Sequence, residues 1–144
     1  MDIENLVTQD NANEGVWFQA VLYGKKQNFD VKIIGSDSDV VQTALREQLR
    51  KMKLSLKTGS ANVEELDDDA FEELLDSTDE NVIIRMNGLR THNKPEEPLT
   101  LSGISLGNDK KSYALIVEKI PALKEFILKK SNERLNFLSE GKKN

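Results

Sequence analysis

The chain has 144 residues, a formal net charge of −5 and no cysteine. This length suits one domain, because two domains would each be too short to bury a stable core. The lack of cysteine excludes disulfides, thiolate metal ligands and a cysteine nucleophile. The negative charge argues against a general nucleic-acid binder, since phosphate contacts require a concentrated basic surface.

No stretch of the sequence approaches the roughly 20 apolar residues that a membrane-spanning helix requires. Residues 1–11 have neither the basic start nor the apolar centre of a secretion signal. We therefore expect a soluble intracellular protein. Residues 1–14 are predicted to form a flexible segment with one loose helical turn, followed by a single domain at 15–138 and a polar tail at 139–144.

A β-hairpin is predicted after this first segment. Two runs, Val16–Tyr23 and Phe29–Ile33, have the alternating pattern in which successive side chains point to opposite faces of a sheet. The residues between them, Gly24–Asn28, include the glycine and asparagine that favour the positive φ angles of a hairpin loop.

An amphipathic helix is predicted at roughly 38–53. Ser36 and Asp39 have the spacing of a capping box at its N-terminus. Apolar residues then follow at three- and four-residue steps, namely Val41, Ala44, Leu45, Leu49 and Met52. Because an isolated hairpin is only marginally stable in water, we expect this helix to cover the apolar face of the hairpin. Residues 54–57 are predicted to form a short connector.

A long or broken helix is predicted at roughly 63–88, because apolar residues recur there at helical steps. The competing prediction is a strand at Asn81–Met86, whose β-branched residues suit a sheet. Between Glu64 and Glu80 the sequence has ten acidic residues and no basic one. Such a run is usually a solvated helix face, and the functional alternative is a surface for a basic partner.

The last helical region is predicted at 109–138. Pro121 interrupts it, so the region is either a kinked helix or two helices that meet at Lys119–Pro121. The segment Leu99–Leu106 is predicted to be an edge strand or an extended packing segment. The expected fold class is α+β, a mostly helical domain whose N-terminal hairpin packs on the helices.

No constellation of residues predicts catalysis or metal binding. His92 is the single histidine, whereas zinc sites use three or four histidine or cysteine ligands. Gly103–Gly107 matches the G-x-S-x-G nucleophile elbow, but that motif requires a strand before it and a helix after it. The carboxylates of Asp67–Asp69 would diverge around a helix axis. We therefore predict that the protein is not an enzyme, uses no cofactor and acts by binding another protein.

The order of the motifs is similar to that of a known family. In the front half, Asn13–Phe18 and Phe29–Asp37 frame the hairpin. In the back half the corresponding segments are Leu99–Ser102, Tyr113–Ile116, Ile120–Leu123 and Arg134–Leu138. Over residues 13–138 this order resembles the tail assembly chaperones of siphovirus-type bacteriophages, which have long non-contractile tails. The family often has a Gly-Trp pair where this chain has Met86–Leu89.

The resemblance implies a non-enzymatic role in building the phage tail. Such chaperones bind the long helical tape measure protein, keep its apolar stretches in solution and are released as tail tube subunits polymerise around it. In many of these phages a ribosomal frameshift yields an extended form that recruits tail tube protein. Adenine-rich codons for Lys142–Asn144 would permit such a shift. The protein would act in the host cytoplasm, bind neither nucleic acid nor membrane, and be absent from the mature virion.

The same resemblance, together with the apolar surface of the last helical region, suggests where the tape measure protein binds. The candidate contacts are Phe126, Ile127, Leu135 and Phe137. Their alternative role is ordinary core packing. The oligomeric state stays open, a homo-oligomer included. The alternative functions are a structural protein of the tail tube or head-tail connector and a carboxylate-metal hydrolase that uses Asp67 and Asp69.

Overall fold

A computed structural model describes residues 3, 6–58 and 78–138 of the chain. The helices are α1 (Gln9–Glu14), α2 (Asp39–Thr58), α3 (Asp79–Ile83), α4 (Lys110–Lys119), α5 (Pro121–Asn132) and a C-terminal 3₁₀ helix (Arg134–Phe137). The strands are β1 (Val16–Leu22), β2 (Lys25–Ile33), β3 (Met86–Thr91), β4 (Leu99–Leu101) and β5 (Ile104–Leu106). These elements confirm the predicted α+β fold with an N-terminal hairpin. None of the helices in the described ranges is both long enough and apolar enough to cross a membrane.

The strands form two antiparallel sheets. The larger sheet has the order β1-β2-β3, and β4 pairs with β5. Helices α4 and α5 pack against one face of the larger sheet and close the main core. Its buried members are Leu22, Val31, Ile33, Val82, Met86, Leu89, Leu106, Tyr113, Ile116, Val117, Leu123, Phe126 and Ile127. Side chains on the other face of the sheet, such as Trp17 and Arg90, lie outside this core.

The hairpin turn is tighter than predicted. Tyr23 and Gly24 have φ angles of 57° and 74°, and two consecutive positive values identify a type I′ turn. Strand β2 therefore begins at Lys25, inside the predicted loop. The predicted alternation along β1 is confirmed at its end, where Leu22 is buried and Val21 is exposed.

Helix α2 confirms the predicted helix, but it is longer. The predicted connector at 54–57 is wrong, because no glycine or proline interrupts the helix before Gly59 and α2 continues to Thr58. The N-terminal cap is Ser38, whose Oγ accepts a hydrogen bond from the amide of Val41 at 3.2 Å. The capping role expected of Ser36 is therefore wrong.

Helix α2 does not cover the hairpin as predicted. Its buried residues Val41 and Leu45 pack with Ile34, and Ile84 borders the same small cluster. The face of the hairpin is occupied by α4 and α5, whose apolar residues form the main core with β2 and β3. The apolar residues of α4 and α5 therefore cover the face of the hairpin that α2 was expected to cover.

The predicted helix at 63–88 is wrong over much of the part that the structure describes, while residues 63–77 lie outside the described residues. Only Asp79–Ile83 is helical, and Met86–Thr91 is strand β3. The competing strand at 81–86 is also wrong, because the strand begins where that segment ends. Gly88, which was expected to end a helix, lies within β3. A Cβ atom there would be 2.7 Å from Cη2 of Trp17, so glycine permits the close approach of the indole ring.

The two-helix alternative for 109–138 is confirmed. Helix α4 ends at Lys119, and Pro121 is the first residue of α5, where a missing amide proton leaves no helical hydrogen bond unmade. The segment 99–106 forms a small hairpin of two short strands. Its turn is made by Ser102 and Gly103, which both have positive φ angles.

Buried polar residues join segments that are distant from one another in the sequence. The fully buried Arg85 donates from Nε to Oγ of Ser131 at 3.0 Å, and that hydroxyl donates to the carbonyl of Ile34 at 2.7 Å. Where a loose turn and a loop were predicted, α1 brings Asn11 into the structure. Its Nδ2 donates to the carbonyl of Phe137 at 3.0 Å.

Candidate functional site

A groove lies between the tip of the hairpin and the outer side of α5. It encloses about 510 Å³ and is lined by Val21, Leu22, Tyr23, Ala122, Glu125, Phe126, Lys129 and Lys130. We call it the hairpin groove. Its floor is mainly apolar, and its charged residues all come from α5.

Two side chains of the hairpin groove expose apolar surface to solvent. Tyr23 is 81% exposed and Val21 is 42% exposed. A large aromatic residue that is held at a tight turn loses little further backbone freedom when a partner covers it. Exposed apolar surface of this kind, bordered by charged residues, is typical of a protein-binding site.

Local sequence determines both walls of the groove. The type I′ turn places Tyr23 at the hairpin tip, because this position accepts a positive φ and leaves the side chain outside the sheet. On the other wall, α5 buries Leu123 and Ile127 in the core. The helical repeat then puts Ala122 and Phe126 at the boundary between the core and the groove.

Lysine side chains make the border of the groove basic. The ammonium nitrogen of Lys130 lies 5.8 Å from the ring centre of Phe126 and 5.7 Å from that of Phe18, within the range of cation–π attraction. Lys129 stands beside it, and Glu125 is the one acidic residue that lines the groove. An apolar segment with acidic neighbours would therefore be complementary to this site.

The structure separates the four predicted contact residues. Ile127 is fully buried, and Phe137 is 1% exposed and packs edge to face against Phe18. Phe126 is 9% exposed and lines the groove from its core side. Leu135 is 79% exposed on the 3₁₀ helix. In the folded chain Ile127 and Phe137 are core residues, and only Phe126 borders the groove.

Sequence reasoning missed Val21 and Tyr23 as contact candidates. The predicted alternation placed both on the face opposite Leu22 without saying which face is exposed, and in the structure Val21 is exposed while Leu22 is buried. The signal that could have identified them is the pair Tyr23–Gly24 itself. In the structure Tyr23 lies in this turn with a φ of 57° and is 81% exposed.

A second groove lies beside the small hairpin. It encloses about 680 Å³ between β5 and α4, and the 54% exposed Ile104 is its most accessible apolar residue among those described. Its other apolar lining residues are Leu106, Ala114 and Leu115. The hairpin groove is the better candidate, because it presents an exposed aromatic side chain and a basic border.

The motifs considered for catalysis do not form a reaction centre. Ser105 lies within β5 and pairs with Thr100, so Gly103–Gly107 is not a turn from a strand into a helix. Residues 67–69 lie outside the described residues. Among the described residues, no three histidine or acidic side chains are grouped as metal ligands would be.

No family model, curated protein or solved structure matches this chain.

Proposed function

We propose that this protein is a tail assembly chaperone of a siphovirus-type bacteriophage. It binds the tape measure protein, keeps its apolar helices in solution and is released when tail tube subunits polymerise. The order of motifs over residues 13–138 supports the family, and the hairpin groove is the observation that supports the mode of action.

The physical properties of the groove suit a helical client. An α-helix is about 10 Å across with its side chains, and an amphipathic helix binds by laying its apolar face into an apolar groove. Tyr23 and Val21 offer the exposed apolar contacts, and Phe126 supplies the floor. The proposed role requires each of these contacts to be of moderate affinity. Moderate affinity is what permits displacement by tube subunits.

The remaining features of the proposal follow from the same role. The protein acts in the host cytoplasm and is absent from the mature virion. An extended form produced by frameshifting recruits tail tube protein. Mass spectrometry of purified virions separates this role from that of a tube or connector protein, which would be abundant in the particle.

The test uses co-expression of this chain with the product of the neighbouring tape measure gene, followed by co-purification. In the double variant Val21→Ser/Tyr23→Ser we expect at least about a tenfold weaker association, because exposed aromatic anchors dominate interfaces of this kind. Val40→Ser is the matched control, since Val40 is 53% exposed on α2, away from the groove.

Two further variants locate the binding surface. Leu135→Ser tests the exposed residue of the 3₁₀ helix, and Ile104→Ser tests the second groove. We expect both to retain association. Loss of association with Ile104→Ser, but not with Val21→Ser/Tyr23→Ser, would assign the client to the second groove instead.

A further inference from the structure

The face of the larger sheet opposite α4 and α5 carries a cluster of polar and aromatic side chains. Gln19, Asp30 and Arg90 lie opposite one another across the three strands, and Trp17 lies opposite Lys32. We call this surface the open sheet face and define it by Trp17, Asp30, Lys32, Arg90 and His92. None of these residues lines the hairpin groove.

A buried carboxylate organises the open sheet face. Asp30 is 3% exposed, and each of its oxygens has a partner. Oδ2 accepts a hydrogen bond from Nε of Arg90 at 2.8 Å, and Oδ1 lies 2.7 Å from Nδ1 of His92. Because a buried carboxylate is costly unless it is paired, Asp30 holds both side chains in fixed orientations. The side chains of Arg90 and His92 are 36% and 40% exposed, so they extend from Asp30 towards solvent.

Trp17 gives Arg90 a second support. The guanidinium carbon lies 4.0 Å from the centre of the indole ring, which is stacking distance. The ring itself lies against Gly88, where a side chain would collide with it. The guanidinium is therefore fixed by a hydrogen bond at Nε and by stacking on its face before any ligand arrives.

The outer nitrogens of this guanidinium are available. In the part of the chain that the structure describes, Nη1 and Nη2 of Arg90 donate no hydrogen bond, and Lys32 makes no ion pair. The partly exposed Arg90 and the half-buried Lys32 therefore place two cations on the same sheet face as one buried anion. A surface with this local charge attracts acidic groups.

We infer that the open sheet face is a binding site for a carboxylate-bearing segment of a protein partner, with Nη1 and Nη2 of Arg90 as a paired donor and Lys32 as a second cation on the same face. A planar guanidinium fork matches a carboxylate with two parallel hydrogen bonds, and a fork that is already fixed loses little freedom on binding. This inference is independent of the proposed chaperone role.

A nucleic acid fits the same face less well. Base stacking needs a free aromatic face, but the guanidinium of Arg90 lies over the ring of Trp17. A phosphate backbone also needs a concentrated basic surface, whereas this face has two cations beside one buried anion. A protein carboxylate needs neither a free ring nor a wide basic surface.

Trp17 is the only tryptophan in the chain, so its fluorescence reports on this site directly. The test is a titration of the full chain at low salt with an oligoglutamate peptide, and in parallel with oligoglutamine and with a single-stranded DNA oligonucleotide. We expect a saturable change with oligoglutamate alone, which weakens as salt is added. Arg90→Gln should lower the affinity about tenfold, and Arg46→Gln, a matched exposed arginine on α2, should leave it unchanged.

Lys32→Gln keeps both partners of Asp30 and therefore tests the site without disturbing its anchor. We expect it to weaken oligoglutamate binding about threefold. Binding that is unchanged in both Arg90→Gln and Lys32→Gln would overturn the inference, and an unfolded Arg90→Gln would leave Lys32→Gln to decide alone. Tighter binding of DNA than of oligoglutamate would assign the face to a nucleic acid and would also overturn it.

Discussion

Gly88→Ala should destabilise the protein although it adds only one methyl group. The new Cβ would be 2.7 Å from Cη2 of Trp17 and 3.2 Å from Cβ of Lys32, so the ring must move away from its support. Overpacking of this kind costs about 1–3 kcal/mol, while alanine recovers about 0.4–1 kcal/mol by restricting the unfolded chain. We expect a net loss of about 1–2 kcal/mol and a Tm lower by about 3–8 °C.

The assay is urea unfolding followed by far-UV circular dichroism, which does not depend on the tryptophan. Gly107→Ala is the control, because its Cβ would meet only Oδ2 of Asp109 at 3.4 Å, an ordinary contact. Without a clash, the restriction of the unfolded chain should leave the free energy of unfolding of this variant unchanged or raise it by up to about 1 kcal/mol. Neither glycine has a positive φ, so backbone strain does not distinguish the two variants.

A double-mutant cycle isolates the cause. Trp17→Phe removes Cη2 and Cζ2, the atoms that the new methyl group would meet. In that background, Gly88→Ala should cost less than about 0.5 kcal/mol, giving a coupling energy of about 1 kcal/mol. Equal costs in both backgrounds would refute the reasoning that the indole ring requires glycine at this position.

Two further predictions concern α2 and the turn that precedes it. Leu45→Asp should cost at least about 3 kcal/mol, because Leu45 is 7% exposed and the new charge would be buried without a partner, whereas Val40→Asp on the exposed side should cost under about 0.5 kcal/mol; thermal melts that coincide would refute the assigned face. Partial burial raises the pKa of Asp37, but hydrogen bonds from Arg134 and Thr8 outweigh it and leave the pKa below its ordinary value of 3.8. A depressed carboxyl pKa stabilises the fold above about pH 4 and ceases to do so as the pH falls through the lower value in the folded protein. We therefore expect Asp37→Asn to lower the Tm slightly at pH 7 and by less as the pH falls below about 4, and a deficit that stays constant into acid would contradict the assignment.

The elements with strong local signals were predictable from sequence. Alternation gave both hairpin strands, and three- and four-residue spacing gave the buried face of α2. Pro121 marked the boundary between α4 and α5, because a proline inside a helix cannot donate its backbone hydrogen bond. In each case the element is determined by interactions between residues that are close together in the sequence, so the local pattern predicts it.

The predictions were wrong where the structure of a segment depends on residues that are distant from it in the sequence. Gly88 looked like a helix terminator, but its role depends on Trp17, which lies across the sheet. Nothing near Arg85 in the sequence signals its complete burial, because its hydrogen-bond partner Ser131 is 46 residues away. Likewise, α4 and α5 cover the hairpin because they compete with α2 for its apolar face.

The candidate site was less predictable than the fold. Phe126 was identified as a contact residue because it belongs to an apolar helix face, but the same pattern also selected Ile127 and Phe137, which are core residues. The helical spacing of apolar residues does not distinguish a residue at the edge of the core from one at its centre. The site also needs Tyr23 from the opposite end of the chain, and only the folded structure brings it to α5.

The proposed function requires that this chain keeps the tape measure protein in solution without becoming part of the tail. The most direct measurement is the soluble fraction of the tape measure protein after ultracentrifugation, with and without co-expression of this chain. We predict that the tape measure protein is largely insoluble alone and soluble with the chain, and that Val21→Ser/Tyr23→Ser reduces this effect. A tape measure protein that sediments equally in the presence and absence of the chain would contradict the proposed function.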